Sequence, residues 1–99
     1  MRNLKMKNIT ASAIIAKTEE TLSRVGAPYA RGAVLSALAR LYRGEAIPRD
    51  GYPSAALDVA VYVVMLLTTR YSREDSPAGS VFRVTSPDAS VAAELEAAA

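Results

Sequence analysis

The arginines are the residues of this chain that could do chemistry with an anion. Nine arginines stand against three lysines, and histidine, cysteine and tryptophan are absent. A guanidinium presents a planar fork of N–H donors that fits a phosphate or a carboxylate. Six basic residues are therefore the candidates for nucleic-acid contact: Arg2, Lys5, Lys7, Arg31, Arg40 and Arg43.

The charges of the chain are divided unevenly along its length. Residues 1–73 hold eleven Lys and Arg against five Asp and Glu, whereas residues 74–99 hold one against five. Such a division predicts either an acidic partner such as nucleic acid, or contact between the basic body and the acidic tail of the same or a neighbouring chain. Polar side chains that could read bases are missing near Arg31, so sequence-specific recognition is not indicated.

The residue types argue against catalysis. Without histidine and cysteine the chain lacks an imidazole base, a thiolate nucleophile and most transition-metal ligands. No glycine-rich phosphate loop, nucleophile elbow or calcium loop occurs in the sequence. Glu19 and Glu20 are adjacent, and adjacent side chains on a helix point about 100° apart. We therefore expect no enzyme activity, no cofactor, no metal and no small-molecule substrate.

One acid, Asp58, is the only charged residue between Tyr52 and Thr69. Burying an unpaired carboxylate is costly, so we expect Asp58 to pair with an arginine. A catalytic role would instead require Asp58, an arginine and a tyrosine to line one cleft.

Two helices are predicted in the first half of the chain. Apolar residues recur at helical spacing over residues 11–25, after a possible cap at Asn8 or Thr10 and before Gly26. Pro28 restarts the chain, and a second helix is expected over residues 29–43. The connection of two or three residues favours an antiparallel hairpin. Gly32 inside the second helix indicates either close packing or an interrupted helix.

A third helix is predicted over residues 54–71, after a loop at residues 45–53. It is apolar on every side, which is typical of a buried central helix. The run at 59–64 is also β-prone, but the whole segment is long for a strand. A membrane span is the other alternative, yet the charge-free run at 59–69 has eleven residues, where a span needs about 20. Membrane association is therefore not expected.

The C-terminal segment predicts a lone strand. Residues 72–80 have the composition of a linker, residues 81–85 resemble one short strand, and the sequence Ser-Pro-Asp at 86–88 opens a helix over 89–99. A lone strand needs a partner. It lies either as an arm on the helices or beside the same strand of another subunit. The candidate residues for self-association are Val81, Phe82, Val84, Val91 and Leu95.

The sequence thus predicts a mainly all-α fold with a three-helix core, in which a helical hairpin packs on a buried third helix. A short C-terminal strand and a terminal helix follow. Residues 1–8 form a basic arm, residues 9–72 the helical core, and residues 73–99 a linker, strand and helix used in association.

We expect a non-enzymatic, self-assembling interaction or structural module that forms a homo-oligomer. The alternative is a nucleic-acid-associated protein, either a small regulator or a packaging protein of the coat type. No targeting signal is visible, so the cytoplasm is the default location. Asn8 starts a glycosylation acceptor pattern, which matters only in a glycosylating compartment.

Overall fold

The computed structural model describes residues 9–50, 54–77 and 79–99, and this part of the chain is mainly helical, as predicted. The predicted basic arm at residues 1–8 lies outside it. The helices are α1 (Ala11–Val25), α2 (Arg31–Tyr42), α3 (Ser54–Leu67) and α4 (Ala89–Ala98). The strands are β1 (Ile47–Pro48), β2 (Tyr71–Ser76) and β3 (Gly79–Val84), which form an antiparallel sheet in the order β1-β3-β2.

Helix α1 begins and ends at residues that the sequence marks. The Thr10 hydroxyl accepts a hydrogen bond from the backbone N–H of Ala13 at 3.2 Å. Gly26 ends the helix with a φ of 78°, a left-handed conformation that glycine adopts without a clash. The N–H of Ala27 then donates to the carbonyl of Leu22 at 2.8 Å, so a carbonyl of the last turn is satisfied.

Helix α2 is the central helix of the fold. Pro28 opens a short 3₁₀ turn over Pro28–Ala30, and α2 follows from Arg31, slightly later than predicted. It contacts α1, α3, α4 and β3. Its buried residues are Val34, Leu35, Ala37, Leu38, Ala39, Leu41 and Tyr42. Helices α1 and α2 contact each other and α3, and α4 packs on α2 as a fourth helix beyond the three predicted for the core.

Helix α3 is buried on one side only. It packs against α1 and α2 through residues such as Ala60, Val63 and Val64. Tyr62 and Leu66 lie on its exposed side. The apolar sequence predicted that this helix is buried on every side, and that prediction is wrong.

The chain leaves α3 earlier than predicted, after Leu67, and turns into β2 instead of a linker. The Thr68 hydroxyl accepts from the N–H of Arg70 at 3.0 Å, which directs the turn. Strand β2 pairs with β3 from Tyr71 opposite Val84 to Ser76 opposite Gly79. The prediction of a linker at 72–80 was wrong because the polar residues of β2 gain their strand conformation from this non-local pairing.

Strand β3 is the middle strand of the sheet. On its other side β1 pairs through Ile47 opposite Phe82 and Pro48 opposite Val81. The Tyr71 and Phe82 rings stack with centroids 5.4 Å apart. The prediction of a lone strand is therefore wrong, because β3 finds two partners within its own chain. The proposed division at residue 73 also falls inside β2.

Helix α4 is docked on α2 and capped as the sequence indicated. The Asp88 carboxylate accepts from the N–H of Val91 at 3.1 Å, and the N–H of Asp88 donates to the carbonyl of Tyr42 at 2.8 Å. Val91, Ala92 and Leu95 join the same hydrophobic core as α1, α2, α3 and β3. No helix in the described ranges has the length and apolar character needed to cross a membrane.

Candidate functional site

The arginines predicted to contact nucleic acid are joined to carboxylates where the structure describes them. Arg31 Nε lies 2.9 Å from Glu19 Oε2, and its Nη1 donates to the carbonyl of Ala98 at 2.8 Å. Arg40 Nε lies 2.9 Å from Glu45 Oε1. Arg2, Lys5 and Lys7 lie outside the described residues.

Arg43, the last of these candidates, binds two carboxylates. Its Nη1 donates to Glu96, and its Nε lies 3.5 Å from Glu45 Oε2. The hydrogen bond to Glu96 raises the pKa of Arg43, and the Arg40 guanidinium beside Glu45 lowers the pKa of that carboxyl. The acidic tail thus folds back on its own basic body, one of the two arrangements that the charge division predicted.

The residues predicted for self-association lie largely inside the protomer. Phe82, Val84, Val91 and Leu95 are buried in the hydrophobic core, and Val81 is half-buried in β3. Pairing of β3 with β1 and β2 and docking of α4 on α2 account for their burial. These side chains are therefore not on a free surface of the described fold.

An exposed apolar surface lies instead on α3. Tyr62 and Leu66 are 46% and 37% exposed, and they lie four residues apart on one side of the helix. Val59 and Met65 flank them and are half-buried. We call these four residues the α3 face. A helix face in contact with water is normally polar, so this surface departs from the pattern.

The apolar surface continues onto the end of α1. Val25 is 61% exposed, and it lines a depression of about 250 Å³ together with Thr21, Arg24, Asp58, Val59 and Tyr62. Val25, Tyr62 and Leu66 are the large hydrophobic side chains that stand exposed among the described residues. Two of the three lie on the α3 face and the other beside it, so the exposure is concentrated and not scattered.

On its other side the α3 face borders a groove of about 280 Å³ between α3 and the sheet. The groove is lined by Ile47, Arg49, Leu57, Asp58, Val61, Tyr62, Met65, Arg73, Ser80 and Phe82. Its buried lining residues, Ile47, Leu57 and Phe82, are apolar, whereas Arg49, Asp58 and Arg73 are exposed. Asp58 lies at the N-terminal end of α3, whereas Arg73 lies beside Met65 near the C-terminal end.

Asp58 pairs with an arginine, as its isolation in the sequence predicted. Arg49 donates from Nη1 to Oδ1 at 2.5 Å and from Nη2 to Oδ2 at 3.1 Å. Both carboxylate oxygens are therefore engaged in a fork-to-fork pair. Tyr62 lines the same groove, so the structure brings together the acid, arginine and tyrosine that a catalytic role would require.

Arg73 is the groove residue that the sequence did not single out. It lies in β2 opposite Phe82, within the segment predicted as a linker. Its Nη2 lies 3.9 Å from the sulfur of Met65, and it forms no ion pair with a described residue. A strand assignment for residues 71–76 would have placed Arg73 on the Phe82 face of the sheet.

Comparison of this chain with protein families, with curated proteins and with solved structures gives no match.

Proposed function

We propose that this protein is a non-enzymatic self-associating module, and that two copies pair through their α3 faces. The observation that carries the proposal is the exposed apolar surface formed by Tyr62, Leu66 and the adjacent Val25. A contiguous apolar patch on a small domain marks a site of association more often than a chance exposure. Covering it with a second copy removes these side chains from water.

The charges at the two ends of the α3 face favour an antiparallel arrangement. Asp58 lies seven residues before Met65, which Arg73 contacts. Seven residues of helix span about 10 Å. In an antiparallel pair the Asp58 end of one copy meets the Arg73 end of the other, and the contact occurs twice, as a two-fold axis requires. Tyr62 then lies close to the axis.

The Arg49–Asp58 pair supports an associating role over a catalytic one. Both oxygens of the Asp58 carboxylate already accept hydrogen bonds from Arg49, so a substrate would have to compete with that guanidinium for them. General acid or base catalysis needs a carboxyl oxygen within hydrogen-bond reach of the substrate proton. Asp58 is better suited to fix the position of Arg49 at the rim of the groove.

Nucleic-acid binding is less well supported than self-association. Arg31, Arg40 and Arg43 are engaged with groups of the same chain. Arg70, Arg73 and Arg83 form no ion pair with a described residue. Arg73 and Arg83 lie on opposite faces of the sheet, because Arg73 is opposite Phe82 and neighbouring side chains on a strand alternate. These two arginines therefore do not form one basic patch.

Size-exclusion chromatography with light scattering at tens of micromolar tests the proposal. We expect a dimer for the wild type and a monomer for Tyr62→Glu, because the substitution places a charge near the centre of the interface. Ala93→Glu is the matched control, since Ala93 is exposed on α4, and it should remain dimeric. A monomeric wild type overturns the proposal, and a dimeric Tyr62→Glu variant removes the α3 face as its basis.

A further inference from the structure

The groove between α3 and the sheet can hold a ligand within a single copy of the chain. Its volume of about 280 Å³ lies close to the lower limit of the range of roughly 300–1,000 Å³ for small-molecule sites. The α3 side of the groove is formed in part by the half-buried Val61 and Met65 and by the exposed Tyr62. Small-molecule sites are mostly apolar, with a few polar groups that fix the ligand. The groove has this composition.

The groove crosses the sheet from β1 to β2. Ile47 lies in β1, Phe82 in β3 and Arg73 in β2, and the three strands follow one another in this order across the sheet. Neighbouring strands lie about 4.8 Å apart, so the groove spans about 10 Å in this direction. Along α3 its lining runs from Leu57 to Met65, which is about 12 Å of helix. An extended chain advances about 1.2 Å per bond, so the groove suits a chain of about eight carbon atoms.

The charges of the groove leave one cation for a ligand. Arg49 and Asp58 neutralise each other, because both carboxylate oxygens accept from the guanidinium. Arg73 forms no ion pair with a described residue, and its Nη2 lies 3.9 Å from the sulfur of Met65. A thioether sulfur is a weak acceptor, so a carboxylate can take its place beside this guanidinium. With two arginines and one aspartate, the lining carries a single net positive charge.

We propose that this groove binds an aliphatic monocarboxylate of medium chain length. Arg73 is exposed, so the ligand carboxylate can reach it and accept two hydrogen bonds in a fork-to-fork pair. The alkyl chain then lies along Val61 toward the end of the groove at Leu57. An alkylammonium fits poorly because Arg73 repels it, and a dianion exceeds the net charge of the lining.

The proposal concerns one copy of the chain and does not rest on pairing through the α3 faces. If two copies pair as proposed above, Asp58 of the second copy and the ligand carboxylate compete for Arg73. The affinity for the ligand should then fall as the protein concentration rises, whereas in a monomeric protein it should stay constant. Failure of the pairing therefore leaves the test of the ligand intact.

Isothermal titration calorimetry with three probes tests the ligand class. Octanoate has both the chain and the charge, hexanoate has a shorter chain, and octylammonium has the opposite charge. We expect octanoate to bind saturably at millimolar concentrations and hexanoate to bind about tenfold more weakly, because fewer methylene groups are buried. Octylammonium should not bind. Absence of octanoate binding overturns the proposal, and so does binding of hexanoate or octylammonium that equals it.

Two variants test the position of the ligand, each with a matched control. Arg73→Gln should weaken octanoate binding about tenfold, because hydrogen bonds to a charged group are lost. Arg83→Gln makes the same change on the opposite face of the sheet and should stay within about twofold of the wild type. Val61→Trp should abolish binding by filling the groove. Ala93→Trp adds the same bulk or more at an exposed position of α4 and should leave the affinity unchanged.

Circular dichroism checks that each variant is folded before titration. Equal losses in Arg73→Gln and Arg83→Gln overturn the assignment of Arg73, because they indicate a general charge effect. Unchanged octanoate affinity in folded Val61→Trp overturns the groove as the binding site, because the chain then lies elsewhere on the apolar surface.

Discussion

The guanidinium of Arg43, just after α2, donates to the carboxylate of Glu96 in α4, fifty-three residues further along the chain. At the other end of α2, Arg31 donates to the carbonyl of Ala98. The N–H of Asp88 donates to the carbonyl of Tyr42, so α4 runs antiparallel to α2. The acidic C-terminal segment is thereby held on the basic helix of the same chain.

Glu45 should make the stability of the fold sensitive to acid. The Arg40 guanidinium holds its pKa below the ordinary 4.5. The ionised carboxylate therefore adds to the free energy of unfolding above about pH 4.5, and this stabilisation is lost as the pH falls through the lowered pKa. Glu45→Gln should unfold at lower urea than the wild type at pH 7, and the two should converge near pH 3.

Urea unfolding followed by circular dichroism at both pH values measures the effect. Glu94→Gln serves as the control, because Glu94 is exposed and forms no ion pair with a described residue. A Glu45→Gln midpoint that equals the wild type at pH 7 contradicts the prediction.

Two glycines should respond in opposite ways to the same substitution. Gly32 lies inside α2, where an added Cβ would meet the carbonyl carbon of Ala99 at 3.7 Å, an ordinary contact. Gly32→Ala should therefore raise the free energy of unfolding by about 0.5–1 kcal/mol. Gly79 has a φ of 104°, and a Cβ there would lie 3.1 Å from Asp50 Oδ2.

Gly79→Ala should lower the free energy of unfolding by about 1–2 kcal/mol, because alanine is strained at positive φ. Urea denaturation of both variants at one pH provides the measurement. Two shifts of the same sign would show that backbone conformation does not decide the outcome.

The helices whose ends are marked by capping residues were predicted well from the sequence. Thr10 and Gly26 bound α1, and Asp88 opens α4, because a cap depends on residues within one helical turn. Strand β2 was missed because its conformation depends on β3 and on the stacking of Tyr71 with Phe82, contacts that no local pattern reports.

The candidate site was predictable only in part. The isolation of Asp58 in an apolar segment indicated an arginine partner, but nine arginines were available and only folding selects Arg49. The apolar sequence of α3 predicts that the helix is buried on every side. Periodicity cannot show that one side of such a helix stays exposed, because every side is apolar. Arg73 was missed together with its strand.

Tyr42→Phe should stabilise the protein. At neutral pH it removes a buried hydroxyl without a partner, which should raise the free energy of unfolding by up to about 1 kcal/mol. The raised pKa of about 12 means that the unfolded state loses the phenol proton before the folded state does, so the wild type loses stability between about pH 10 and 12. The variant should therefore lose less stability than the wild type in that range.

Urea unfolding from pH 8 to pH 11.5 measures how the free energy of unfolding of the wild type and of Tyr42→Phe changes with pH. Tyr62→Phe is the control because Tyr62 is exposed. Loss of stability in Tyr42→Phe at neutral pH would mean that the hydroxyl is bonded in the free protein.

Arg73→Glu should weaken the proposed dimer in a salt-dependent way. The substitution places a carboxylate opposite Asp58 of the second copy, so attraction at each end of the interface becomes repulsion. At low ionic strength we expect the dissociation constant to rise about tenfold, which corresponds to about 1.4 kcal/mol. Salt screens exposed charges, so the difference from the wild type should shrink at high ionic strength.

Sedimentation equilibrium at low and high salt measures the dissociation constants of the wild type and of Arg73→Glu. Arg83→Glu makes the same charge change on the opposite face of the sheet, and it should leave the dissociation constant within about twofold of the wild type if the effect at Arg73 is local. Equal weakening in the two variants would mean that net charge governs association. Unchanged affinity in Arg73→Glu would mean that the copies do not pair with their α3 helices antiparallel, because that arrangement brings residue 73 to Asp58 of the second copy.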